Sequence, residues 1–201
     1  MILESASLQV RPGQSAAFEA AFAVARRIIS SMPGYRSHEL QRCLEREGHY
    51  LLLVRWDSVA AHEEGFRKSP QYQEWRALLH HFYDPFPTVL HYEAVAGAGM
   101  AAPASSIMVT VGYRAQPGKG DEAQAALGKL VATVLATEPA CLGIEILRRA
   151  DDPDRILLHE RWTDRDAYEG PHMNTPHLRE FIAGAPAFLA GPPEISIWRG
   201  R

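Results

Sequence analysis

Histidine and aromatic side chains that could do chemistry are concentrated in two stretches of this 201-residue chain, residues 56–87 and 162–193. Histidine changes its charge near neutral pH and can therefore move protons, whereas aromatic side chains can enclose a ring-shaped ligand. In the first stretch Tyr72 and Trp75 fall on one face of a predicted helix, and Tyr83 continues that face. They are candidate substrate-binding residues. A plain core role is the alternative, because aromatic residues at helical spacing usually fill a core.

The candidate catalytic residues are four histidines: His172, His177, His159 and His81. His172 and His177 flank a break before Pro176, so both could turn toward one cavity, with a surface or capping role as the alternative. His159 lies in an apolar strand and faces either the interior or a pocket. His81 follows His80, and neighbouring helical side chains point about 100° apart, so at most one of the pair faces a cavity.

Tyr113 in the second half is a further substrate-binding candidate, again with a structural role as the alternative. Several histidines invite the hypothesis of a metal site, but no acidic residue stands at a spacing typical of zinc ligands. Cys43 and Cys141 match neither a metal motif nor a redox pair, and two buried thiols suit a reducing compartment. The spacing of these residues therefore argues against a zinc site.

The two stretches are copies of one layout. Trp56 and Trp162 stand 106 positions apart, and two pairs of prolines (Pro70 and Pro176, Pro87 and Pro193) keep the same spacing. The residues between these markers differ: the counterpart of Phe66 is His172, and the counterpart of Trp75 is Phe181. His80 and His81 become Pro186 and Ala187. The sequence therefore predicts two modules whose pockets do different work, with a ligand in one of them.

Each module is predicted to follow the order β-α-β-β-α-β, with its second helix interrupted before a proline. This order is typical of the ferredoxin-like fold, an antiparallel sheet with helices on one face, and the fold class is α+β. We place the first module at residues 1–95, a linker rich in Gly, Ala, Pro and Ser at 96–105, and the second module at 106–201. Apolar strands such as 51–54 need cover on both faces, so the modules are expected to cover each other sheet to sheet.

Composition excludes several classes of partner. The net charge of −3 provides no basic surface for nucleic acid or for acidic membranes. No apolar run approaches the roughly 20 residues of a membrane-spanning helix, and the first residues lack the pattern of a signal peptide. We expect a cytoplasmic protein with a small-molecule substrate, no contact with nucleic acid or membrane, and a homodimer of the two-module chain as one option.

At this point the chain resembles the antibiotic biosynthesis monooxygenase domain family in a tandem form. The resemblance rests on the strand that ends in Trp56 or Trp162, on the polar helix after it, and on the break that leads to an aromatic helix. The segment 172–177 (HMNTPH) is similar to a His-x-x-x-x-His pattern of the quinol monooxygenase branch. The resemblance implies that the two modules form an intrachain pseudo-dimeric α+β barrel.

The resemblance also implies a reaction: oxidation of a small phenolic, anthrone or quinol-type aromatic by O2 without a cofactor. The alternative is a non-catalytic small-molecule-binding or structural protein of the same fold. A haem-degrading branch of the superfamily uses an Asn–Trp–His set. At the approximate matching positions the first module has Ala6, Gly65 and Trp75–Arg76, and the second has Val111, Pro171 and Phe181–Ile182, so haem degradation is disfavoured.

Overall fold

The computed structural model describes residues 1–98 and 103–201, with the side chain of residue 98 excepted. The described chain divides into two units, residues 1–92 with 200–201 and residues 93–199. Among the described residues, none of the helices has the length and apolar character needed to span a membrane.

The first unit is an antiparallel sheet with helices on one face. Its strands are β1 (Ile2–Gln9), β2 (Tyr35–Cys43), β3 (His49–Trp56) and the start of β4 (Thr88–Ala98), and β3 pairs with both β1 and β2. Its helices are α1 (Ser15–Ser30), a π-helical segment (Ala61–Phe66), α2 (Pro70–Leu79) and a 3₁₀ turn (His80–Phe82).

Local sequence explains the helix boundaries of the first unit. Gly13 takes a positive φ of 75° in the turn before α1, a conformation that glycine adopts without steric cost. Ser69 caps α2 by accepting a hydrogen bond from the Tyr72 backbone N–H at 3.2 Å, and Pro70 occupies the first turn. The apolar face of α1 buries Phe18 and Ile29 against the sheet.

The second unit repeats this plan. Its strands are β5 (Ile107–Arg114), β6 (Cys141–Arg149), β7 (Arg155–Trp162) and β8 (Glu194–Gly200), in the antiparallel order β8-β5-β7-β6. Its helices are α3 (Gly120–Thr137), α4 (Arg165–Glu169) and α5 (Pro176–Gly184), with 3₁₀ turns at His172–Asn174 and Ala185–Ala187.

The predicted α+β fold with two tandem ferredoxin-like modules is confirmed, including the interruption of the second helix in each copy. Strand β4 continues to Ala98, three residues beyond the predicted end at Val95. Residues 99–102 of the predicted linker lie outside the described residues, so the predicted module boundaries stay a prediction.

Candidate active site

The second unit contains a cavity of about 670 Å³, inside the range of about 300–1,000 Å³ that is usual for ligand pockets. Its walls are apolar side chains from the inner face of the sheet and from the helices that cover it. They include Val111, Leu130, Val131, Val134, Ile144, Leu158, Leu178 and Phe181. A cavity of this size and character suits an apolar or aromatic ligand.

Glu160 brings a carboxyl group into this cavity from strand β7. Side chains alternate along a strand, so Leu158 and Glu160 face the cavity and His159 faces the other side of the sheet. The Trp162 indole N–H donates a hydrogen bond of 2.8 Å to Glu160 Oε2. Burial raises the pKa of Glu160 to about 7, against the smaller opposing effect of the indole hydrogen bond. Near neutral pH this side chain can therefore both donate and accept a proton.

His172 also faces the cavity, and Glu138 holds its ring. His172 Nδ1 lies 3.0 Å from Glu138 Oε2, and His177 Nε2 lies 2.6 Å from Glu138 Oε1. A carboxylate only accepts, so Nδ1 of His172 carries the proton and Nε2 is the nitrogen left to act as a base. Burial lowers the pKa of His172, and the nearby Glu138 opposes this. The neutral imidazole is favoured as a result.

Two tyrosine rings also line the cavity, at different places. Tyr168 stacks on the His172 ring at 5.3 Å between centroids, and the Trp162 ring lies 4.6 Å from the same histidine. Burial raises the pKa of the Tyr113 hydroxyl, and the charge of Glu160 raises it further. Glu160, His172 and Tyr168 thus form one group of buried side chains around Trp162, and Tyr113 packs on Phe181 farther along β5, with 6.1 Å between ring centroids.

The equivalent space in the first unit is almost filled. Only about 50 Å³ remains, because Phe66, Trp75 and Tyr83 occupy it. The Phe66 ring packs against the Trp56 ring at 5.7 Å and against Trp75 at 5.8 Å. Phe66 is the counterpart of His172, so one of the rings that fill the first module is absent from the second.

Both units nevertheless bury a carboxyl group beside the repeated tryptophan. In the first unit the Trp56 indole N–H donates to Glu4 Oε2 at 2.7 Å, and burial raises the pKa of Glu4 to about 7. Glu4 on β1 stands opposite Val54 on β3, whereas in the second unit Val109 on β5 stands opposite Glu160 on β7. The two strands have exchanged the acid and the valine. The carboxyl group keeps its place beside the indole.

This exchange explains why sequence comparison missed Glu160. At a spacing of 106 the counterpart of Glu160 is Val54, and the counterpart of Glu4 is Thr110. The pairing of strands, with Ile2 opposite Trp56 and Ile107 opposite Trp162, is the signal that reveals the equivalence.

The first-unit carboxyl has a histidine partner of its own. His62 Nε2 lies 3.4 Å from Glu4 Oε1, and His62 Nδ1 lies 2.8 Å from His91 Nε2. Burial lowers the pKa of His62 to about 3, with a smaller effect of His91 in the same direction. His62 is therefore neutral at physiological pH.

Of the residues predicted from sequence, His172 and Tyr113 both line the large cavity. His177 holds Glu138 from an open groove between α3 and α5, and His159 lies on the opposite face of β7. Tyr72, Trp75 and Tyr83 surround the small first-unit cavity. His81 is exposed and packs on Phe82, with 4.1 Å between ring centroids. The roles of these residues stay predictions.

Sequence spacing indicated no acidic residue near the histidines. In the structure Glu138 is hydrogen-bonded to both His172 and His177. It lies 34 positions before His172 in the chain and is part of no recognised motif. In the part of the chain that the structure describes, no three His, Cys, Asp or Glu side chains are arranged to hold a metal ion.

Comparison with known proteins agrees with the repeat. The family model described as antibiotic biosynthesis monooxygenase matches residues 1–78 and again residues 106–184. The uncharacterized protein YczJ of Bacillus subtilis is 52% identical over 95 residues, which are 47% of this chain and all of YczJ. That stretch has the length of one module.

Solved structures show the same fold at low sequence identity. A candidate monooxygenase from Fusobacterium nucleatum superposes with a TM-score of 0.79 at 13% identity, over 99% of this chain and 91% of its own. An anthrone oxidase-like protein superposes with a TM-score of 0.78 at 12% identity, over 100% of this chain and 91% of its own. With two matches that cover most of its length, the chain belongs to the antibiotic biosynthesis monooxygenase family, in a tandem two-domain form.

Proposed function

We propose that the second unit oxidises a small phenolic, anthrone or quinol-type aromatic with O2, as a monooxygenase that needs no cofactor. The observation that carries the proposal is the 670 Å³ apolar cavity with Glu160 and His172 buried in its wall. Family membership and the names of the two structural neighbours point to the same class of reaction.

The reaction begins with loss of a proton from the substrate. His172 Nε2 accepts the proton of a phenol, or of the enol form of an anthrone, while Glu138 stabilises the imidazolium through Nδ1. An electron-rich anion then transfers one electron to O2, and the resulting radical pair combines into a peroxide. Loss of water leaves one oxygen atom in the product: anthrone and O2 give anthraquinone and water.

Glu160 serves the later proton transfers. In its protonated form it donates a hydrogen bond to the substrate oxygen or to the peroxide, as a neutral acid in an apolar site can do. The same carboxyl then supplies the proton needed when water leaves. The apolar walls exclude bulk water, which keeps these interactions strong.

For the first unit we propose a structural role. The specific observation is its cavity of about 50 Å³, too small for an aromatic ring. Glu4 there accepts the Trp56 hydrogen bond, so the carboxyl has a structural partner even without a substrate. A cytoplasmic location and a homodimer of the chain stay predictions.

The test is O2 uptake by metal-free protein with a dihydroquinone and with anthrone, measured against the autoxidation rate. The wild-type protein is expected to exceed that rate, and removal of the base in His172→Gln should lower kcat by about 10²-fold. Glu160→Gln is compared with Glu4→Gln, a matched change at the equivalent place in the filled unit. Glu160→Gln should lose activity and Glu4→Gln should keep it.

The proposal is overturned if no substrate of this class is consumed above the autoxidation rate. Tight binding of such a compound without any O2 uptake would support the alternative, a non-catalytic binding protein. Equal losses in Glu160→Gln and Glu4→Gln would contradict the assignment of the activity to the second unit.

A further inference from the structure

The large cavity has its polar groups inside and apolar groups at its mouth. Glu160, His172 and the tyrosines that line it are all buried. Three large apolar side chains among the exposed lining residues are Met173 (40% exposed), Ile182 (54%) and Ile195 (41%). The polar groups of this cavity therefore lie away from solvent, whereas its exposed mouth is apolar.

The apolar rim is more than scattered surface residues. Seven large apolar side chains are exposed in the described part of the chain, and three of them line this one cavity. Single exposed apolar residues are normal on a protein surface, whereas a converging group of them marks a place where something apolar binds. The rim thus favours a ligand that is apolar where it reaches the surface.

An apolar track on α5 joins the interior to the rim. Leu178, Ile182 and Ala185 line the cavity at positions i, i+4 and i+7, one face of a helical stretch. Leu178 is buried and Ile182 is exposed, so the track runs outward. At a rise of about 1.5 Å per residue it is roughly 10 Å long, about the length of an extended chain of eight carbons.

The polar groups mark the opposite end. Trp162 joins Glu160 through a hydrogen bond and His172 through ring contact, and Tyr168 stacks on that histidine. A ring bearing hydroxyl groups would find an acid and a base as hydrogen-bond partners there. A single dihydroxybenzene would leave most of the 670 Å³ empty.

We propose that the ligand of this cavity is an amphiphilic aromatic compound, with a hydroxylated ring beside Glu160 and His172 and a linear alkyl or prenyl tail. The tail lies along the whole track from Leu178 to Ala185 and passes between Ile182 and Ile195 on its way to solvent. The placement of the ring rests on the proposed function, whereas the tail rests on the rim and the track alone.

The test uses 4-alkylphenols with chains from methyl to nonyl, titrated anaerobically into the full chain by calorimetry. Each added methylene buried along the track should lower Kd about two- to fourfold, and the gain should stop near eight carbons. In an Ile182→Ser/Ile195→Ser double variant, the ratio of Kd for 4-methylphenol to Kd for 4-octylphenol should fall at least tenfold. Val24→Ser, an exposed valine on α1, is the matched control and should keep the wild-type ratio.

A Kd that does not depend on chain length, or a double variant with the wild-type ratio, would overturn the proposal. It would also be overturned if sedimentation showed a dimer that the double variant cannot form, because a second copy would then cover the rim. No turnover is needed in this experiment. A clear dependence on chain length without any O2 uptake would support the tail and reject the oxygenase.

Discussion

Replacing Glu160 by Gln should change how the stability of the protein depends on pH. Burial raises the pKa of Glu160 from 4.5 to about 7, so the folded protein retains a proton that the unfolded chain releases. The contribution of the neutral carboxyl group to the free energy of unfolding is fully present below pH 4.5 and is lost as the pH rises toward 7. Glutamine keeps an oxygen acceptor for the Trp162 indole and cannot ionise.

The magnitude follows from the two pKa values. At about 1.4 kcal/mol for each pH unit, the interval between 4.5 and about 7 corresponds to about 3 kcal/mol. The free energy of unfolding of Glu160→Gln, minus that of the wild-type protein, should therefore rise by about 3 kcal/mol between pH 4.5 and pH 7. Above pH 7.5 the difference should become constant, because Glu160 is then ionised in both states.

Urea unfolding followed by tryptophan fluorescence at five pH values would measure this difference. Glu180→Gln is the control, because it makes the same substitution at an exposed glutamate. A difference for Glu160→Gln that changes by less than 1 kcal/mol over this range would refute the argument that burial controls this carboxyl group.

Three further outcomes are expected. Glu138→Gln should lower kcat about tenfold with little change in KM, measured with anthrone, because Glu138 positions His172 without touching substrate; an unchanged kcat would contradict this. His172→Phe combined with Phe181→Trp and Leu189→Tyr places the three rings that fill the first unit at their counterparts in the second, and calorimetry should find weaker binding of 4-methylphenol than in the wild-type protein; wild-type affinity would contradict the role of these rings as filling. Trp75→Ala should destabilise the protein by about 3–5 kcal/mol in urea unfolding and leave kcat unchanged; a loss below 1 kcal/mol would contradict its core role.

The fold could be predicted because its signals are local and repeated. The first helix of the predicted order β-α-β-β-α-β is marked by apolar residues three to four positions apart (Phe18, Phe22, Ala25 and Ile29), and these are the buried residues of α1 at Ser15–Ser30. The serine–proline pair at 69–70 sets the start of α2 through a capping hydrogen bond. The short helix predicted after Trp56 exists, but its backbone is π-helical at Ala61–Phe66, a geometry that side-chain periodicity does not report.

The site was harder to predict, because it depends on contacts between distant residues. Exchange of the acid between paired strands hid Glu160, and the contact of Glu138 with His172 spans 34 positions. The open cavity depends on how whole helices and side chains pack, and the replacement of Phe66 by His172 is only one part of that difference. The sequence comparison showed that these positions differ, and only packing shows which unit is left open.

Our central proposal is that the second unit inserts one atom of O2 into an aromatic substrate bound in its cavity. Incubation of the protein with anthrone under ¹⁸O₂, followed by mass spectrometry, tests it most directly. We predict anthraquinone with one ¹⁸O atom. The wild-type protein and Glu4→Gln should form it above the autoxidation rate, and Glu160→Gln should not. Labelled product formed at the same rate with and without protein would contradict it.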